Sequence, residues 1–202
     1  IVEIKKINMK KLITIIILLN LSLGNVYSMQ PDIFVQSTVN RASEILSKNI
    51  SKEKKTDGLK IIARETVDIM GVGFYSLGSA RKVLNENQKQ KYFDLFEDYF
   101  LKSFSSRLSE YTNPKIEVKS KKVINKNYTI VNSVLVSTPD RPEVRIDWRV
   151  YTKNPDNPLI RDLIIEGLSL ARTQKEEFAS ILNSNNGDIN ALFKTLENFT
   201  KN

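Results

Sequence analysis

The 202-residue sequence has no cysteine and no histidine. Without histidine there is no Ser-His-Asp triad, no imidazole proton shuttle and no histidine-ligated metal. Without cysteine there is no thiolate nucleophile, zinc ribbon, iron–sulfur cluster or disulfide. An enzyme built from this chain would have to rely on carboxylates, lysine, hydroxyls or tyrosine, so the composition favours binding over catalysis. Also missing are internal repeats, low-complexity linkers, a Gly-x-Ser-x-Gly elbow and a glycine-rich phosphate loop. Gly71-Val-Gly73 lacks both the third glycine and the preceding strand of a dinucleotide fingerprint. Asp188 to Asn190 lacks the spaced oxygen ligands of a calcium loop. No cofactor or metal is expected.

The formal net charge is +8, from 31 Lys and Arg against 23 Asp and Glu. Part of it belongs to an N-terminal address. Met9-Lys10-Lys11 precedes the apolar run Leu12–Leu23, and Gly24-Asn-Val26-Tyr-Ser28 places small residues where a signal peptidase cuts. A run of 12 residues is short for a bilayer span, which needs about 20. Residues 1–28 therefore read as an upstream extension plus a cleaved signal peptide with Met9 as initiator, and residues 29–202 as one exported domain. Removing the first segment takes away four lysines and one glutamate, leaving +5. The remaining charges are mixed, and the runs Lys52-Glu-Lys54-Lys55 and Lys119-Ser-Lys121-Lys122 read as solvated faces. Nucleic acid is not the expected partner; acidic protein surfaces or lipid head groups are.

The mature segment orders its periodicities as helices, then strands, then helices, an α+β pattern. Helices are expected from Pro31 to Ile50 and from Gly58 to Met70, with Lys52–Asp57 as a charged break and Gly71-Val-Gly73 as an interruption. The strongest helical signal runs from Asn87 to Tyr111. There Tyr92, Phe96, Tyr99, Phe100, Phe104, Leu108 and Tyr111 recur three and four apart, and Asn113-Pro114 stops the run. Four strands follow: 115–124, 127–137, 143–152 and 159–166. In the third, Val144, Ile146, Trp148 and Val150 alternate with Arg145, Asp147 and Arg149. Short turns between them predict an antiparallel meander. Thr173-Gln-Lys-Glu176 reads as a capping box opening a helix, and Gly187-Asp188 opens the last one. A curled sheet facing the long aromatic helix permits a cleft between the layers. Charges on the last two strands, Asp147 and Asp162 among them, read as cross-strand ion pairs; a general base in an apolar cleft is the enzymatic alternative.

These segments assemble into a known pattern. Gly73-Phe-Tyr-Ser-Leu-Gly78 precedes Arg81-Lys82; Asn87-Gln-Lys-Gln-Lys-Tyr-Phe93 opens the aromatic helix. Arg141-Pro-Glu-Val-Arg-Ile-Asp-Trp148 and Arg161-Asp-Leu-Ile-Ile-Glu-Gly-Leu-Ser-Leu170 follow. Together they resemble the MlaC family of periplasmic phospholipid-binding proteins, also called toluene-tolerance auxiliary proteins, over about Pro31 to Phe199. The connection Asn157-Pro158-Leu159-Ile160 departs from the family pattern. The resemblance implies a twisted antiparallel sheet similar to the NTF2-like cone, with extra helices enclosing an apolar cavity. It implies a monomeric, non-enzymatic carrier moving glycerophospholipid between an outer-membrane lipoprotein–porin complex and an inner-membrane ABC transporter that maintains lipid asymmetry. The wall residues expected on this basis are Phe74, Leu77, Phe96, Tyr99, Phe100, Tyr111, Val134, Val136, Trp148, Val150 and Ile164. Arg81, Lys82 and Arg145 are expected at a basic rim for head group or partner. A periplasmic adaptor without a ligand cavity, or a small carboxylate enzyme on the same cone, are the competing expectations.

Overall fold

The computed structural model describes residues 29–201; the expected signal segment lies outside the described residues. The element order is α1 (Pro31–Ser47), α2 (Lys52–Thr66), α3 (Ile69–Ser76), a 3-10 turn (Ala80–Lys82) and α4 (Glu86–Leu108). Then come β1 (Ile116–Asn125), β2 (Tyr128–Leu135), β3 (Val144–Tyr151), β4 (Leu159–Ile165) and β5 (Leu168–Ser169), followed by α5 (Leu170–Ser184) and α6 (Ile189–Lys201). The strands form one twisted antiparallel meander in chain order, as the short turns predict. The fold is α+β. Among the described residues no helix is long and apolar enough to cross a membrane.

Most elements follow local chemistry. The Asn85 side chain accepts from Gln88 N and the Gln88 side chain from Asn85 N, a full capping box that starts α4. Elsewhere the structure corrects the sequence expectation. The charged stretch Lys52–Asp57 is helical, because Ser51 Oγ accepts from Lys54 N and starts α2 there. The interruption falls at Val67, which bridges to Ile160 of β4 in parallel, and at Asp68, whose carboxylate accepts from Gly71 N and caps α3. The capping-box reading of Thr173 is displaced in the same way. α5 starts at Leu170 on the Ser169 cap, and Thr173 Oγ1 instead donates to Ser169 O. The two-residue β5 has no period to detect; Glu166 at φ 48° and Gly167 at φ 84° make the tight turn that folds it back onto β4.

Gly71 and Gly73 lie inside α3 and do not break it. Gly73 is there for close approach. A Cβ at this position would stand 2.7 Å from Phe96 Cδ1, and its carbonyl accepts the Tyr92 hydroxyl at 3.0 Å. Gly73→Ala therefore overpacks the α3–α4 contact and is expected to cost about 1–3 kcal/mol. A lowered urea midpoint at unchanged slope checks this; an unchanged midpoint would show that Phe96 yields freely.

The apolar interior divides in two. One cluster joins α3, α4, α5 and α6 around Tyr92, Phe96, Phe178, Leu192, Phe193 and Leu196. The other joins α1 to the sheet around Val35, Val39, Val131, Trp148, Val150 and Ile160. Val67 packs against both.

Candidate functional site

Between these clusters lies a cavity of about 450 Å³, a volume within the usual range for small-molecule sites. The inner face of the sheet supplies Ile116, Leu135, Ile146, Trp148, Ile160, Leu163 and Ile165. The first helices supply Thr38, Val39, Ala42 and Leu46 of α1, and Leu59, Ile62 and Thr66 of α2. Opposite the sheet, α4 lays down Phe96, Tyr99, Phe100, Ser103, Phe104, Arg107 and Leu108, with Tyr111 and Pro114 beyond its end. The α5 N-terminal turns close one side with Leu170, Ala171, Thr173, Gln174 and Glu177.

The polar atoms of the deep wall are consumed locally. Thr38 Oγ1 donates to Phe34 O and Thr66 Oγ1 to Ile62 O, each one turn back in its own helix. Trp148 Nε1 donates to Ser133 Oγ at 2.8 Å, and Ser133 Oγ donates to Ile146 O. The Tyr99 hydroxyl donates to Gln174 Oε1 at 2.9 Å. What remains facing the space is mainly carbon. The Phe96, Phe100 and Phe104 rings follow one another along α4, with centroids 6.1 Å and 5.6 Å apart. Such a wall favours an aliphatic ligand held by burial and offers little to a polar one.

Of the residues that the resemblance suggests as wall, Phe96, Tyr99, Phe100, Tyr111 and Trp148 line this cavity. The other expected wall residues sit elsewhere. Leu77 is buried in the helical cluster and Val150 in the sheet–α1 cluster, both as core. Val134 lies on the opposite pleat of β2, whose buried residues are Thr129, Val131, Ser133 and Leu135. Val136 follows the end of that strand, its N–H donating to Lys115 O. Ile164 pairs with Asp147 on the outer face of the sheet. Phe74 is exposed, stacked on Phe93 and covered by Arg81.

The expected basic rim is likewise remote from the cavity lining. Arg81 is held over Phe74, Lys82 is exposed on the 3-10 turn, and Arg145 pairs with Glu166 on the outer sheet face. The cavity's cations are instead Arg107 and Arg161. Arg107 extends the Tyr99–Ser103 stripe by one more turn, so helical spacing carried a signal for it. The contributions of α1, α2 and α5 depend on how the chain folds back and left no local trace.

Neither strand carboxylate is set up as a general base. Asp162 is buried, its side chain 2% exposed; it accepts from Ala171 N at 3.0 Å and Ser169 Oγ at 2.6 Å. It therefore anchors the start of α5. Asp147 accepts from Asn132 Nδ2 on the outer face. Arg161 is equally committed. Its guanidinium donates to Asp68 Oδ2 and the Tyr128 hydroxyl, and stacks 3.7 Å from the Tyr151 ring centroid, tying β4 to the α3 cap.

Comparison with known proteins agrees with this geometry. The fold matches a solved phospholipid-binding protein from Ralstonia solanacearum, determined in complex with a phospholipid. The TM-score is 0.71 and the identity 18%, over 86% of this chain and 98% of that one. The chain is 24% identical over 161 residues to the intermembrane phospholipid transport system binding protein MlaC of Haemophilus influenzae, covering 76% of this chain and 75% of that protein. The family model described as MlaC protein matches residues 36–198, from the first turns of α1 to the end of α6 and so every wall of the cavity. The chain belongs to the MlaC protein family.

Proposed function

We propose that this protein is a periplasmic phospholipid carrier. It holds acyl tails in the cavity between the sheet and α4, and passes lipid between an outer-membrane lipoprotein–porin complex and an inner-membrane ABC transporter, sustaining lipid asymmetry. The observation that carries the reading is the carbon-walled cavity of about 450 Å³ whose deep polar atoms are already bonded within the protein. Each buried methylene contributes roughly 0.8 kcal/mol, so a fatty tail needs no cofactor and few polar contacts to be retained. The names of the two relatives point the same way. Export through cleavage near Ser28 accords with a periplasmic route, and the carrier acts as a monomer without catalysis. Phe74, exposed, and Arg81, half-buried over its ring, lie away from the cavity and suit contact with a partner complex better than contact with a head group.

The test is organic extraction of protein purified from the periplasm, followed by mass spectrometry. The expected result is near-stoichiometric glycerophospholipid and a mature N-terminus close to Met29. Protein that is consistently empty, and takes up no lipid from vesicles, would overturn the carrier reading.

A further inference from the structure

Four charged side chains line the cavity: Arg107, Arg161, Asp162 and Glu177. Two are spent on architecture. Arg161 is bonded to Asp68 and Tyr128, and Asp162 to the start of α5. The other two are not. Among the described residues neither Arg107 nor Glu177 lies within ion-pair distance of an opposite charge, and they do not bridge to each other. The bond found for Glu177 comes from a neutral neighbour, Gln174 Nε2, at 3.1 Å.

Arg107 and Glu177 belong to one mouth. On α4, Tyr99, Ser103 and Arg107 stand four residues apart and share a face; on α5, Gln174 and Glu177 stand three apart and share another. The Tyr99–Gln174 hydrogen bond joins the two faces. Burial raises the Tyr99 phenol pKa; the Gln174 bond lowers it, the Glu177 charge raises it and the Arg107 charge lowers it, so both charges bear on the same hydroxyl. A guanidinium and a carboxylate thus flank the rim of an apolar chamber, both exposed and, among the described residues, without ionic partners.

We infer that this mouth reads the lipid head group, Arg107 taking the phosphate and Glu177 the ammonium of a zwitterionic phospholipid whose ammonium carries N–H donors, as in phosphatidylethanolamine. The inference rests on the carrier reading and deepens it. A guanidinium presents a planar fork of donors suited to phosphate oxygens, and a carboxylate accepts N–H hydrogen bonds. An anionic glycerol head group would leave Glu177 facing more negative charge. A choline head group would offer it no N–H donor.

The experiment uses the whole protein, incubated with vesicles of equimolar phosphatidylethanolamine, phosphatidylglycerol and phosphatidylcholine, then separated and analysed by mass spectrometry. Because the mouth is solvent-exposed, the expected enrichment of ethanolamine lipid over each competitor is modest, about threefold. Glu177→Gln is expected to bring that ratio close to one. Arg107→Gln is expected to reduce uptake of all three head groups by about the same factor, since all share the phosphate. A wild-type protein loaded in the vesicles' own proportions overturns the head-group assignment, as does a loaded Glu177→Gln variant with the wild-type ratio. Either result leaves the carrier reading intact. A wild-type protein that takes up nothing overturns both.

Discussion

Replacing Phe100 with Asp yields a folded protein that carries on the order of a hundredfold less phospholipid than wild type. Phe100 stands midway along the α4 wall, half-buried, between Phe96 and Phe104. A carboxylate there meets solvent in the free protein but would be partly desolvated against bound tails, a penalty of about 2 kcal/mol at this half-buried position. The ring's own contact with the tails is lost as well. Together these amount to about 3 kcal/mol of binding, which corresponds to roughly a hundredfold in affinity. Phe100→Leu keeps the wall apolar and should stay within about threefold of wild type. Lipid per protein, read by mass spectrometry beside a circular-dichroism check of folding, decides the matter. Wild-type loading in folded Phe100→Asp would remove Phe100 from the binding wall.

The second large effect concerns stability. Asp162→Ala leaves the Ala171 amide and the Ser169 hydroxyl without their acceptor beside a buried strand. Each unsatisfied group costs about 1–3 kcal/mol. Ser169 also caps Arg172 N at 3.1 Å, so its hydroxyl loses the bond that orients it. The expected loss is about 3–5 kcal/mol, which for a domain of this size lowers Tm by roughly 8–15 °C. Asp162→Asn keeps one carbonyl acceptor in the same volume and should lose about half as much. A thermal scan of the three proteins checks the order. An Ala variant melting within a degree of wild type would show that α5 holds its start without Asp162.

What the sequence made legible was periodic. The aromatic stripe of α4, the alternation in β3 and the turn clusters located the long helix, the sheet and their order. Periodicity marks Trp148, Phe96 and Phe100 as an inward apolar face, since a strand or helix has one apolar side to offer, and the family resemblance is what suggests them as wall. Errors arose where a long-range partner decides. Nothing local shows that Val67 bridges to Ile160, so the glycines are the only boundary signal that the sequence offers between α2 and α3. β2 carries apolar residues on both pleats, and only pairing with β3 tells which pleat faces in, so nothing local assigns Val134 to the outer one. Asp162 does pair across the strands with Arg149, at 4.0 Å, but its hydrogen bonds to the start of α5 and those of Arg161 to Asp68 involve partners from distant parts of the chain, which no local pattern shows.

The division of the interior into two clusters has a consequence for the economy of the fold. The helical cluster and the sheet cluster meet through Val67 and along the rim of the chamber, with the chamber in between. On the carrier reading, acyl tails lying there complete a hydrophobic core whose missing piece is borrowed from the membrane. Ligand and core are then the same material, and release is a partial loss of core. Stability should therefore rise and fall with lipid supply. A partner that draws lipid out would have to compensate the carrier for the cohesion it gives up.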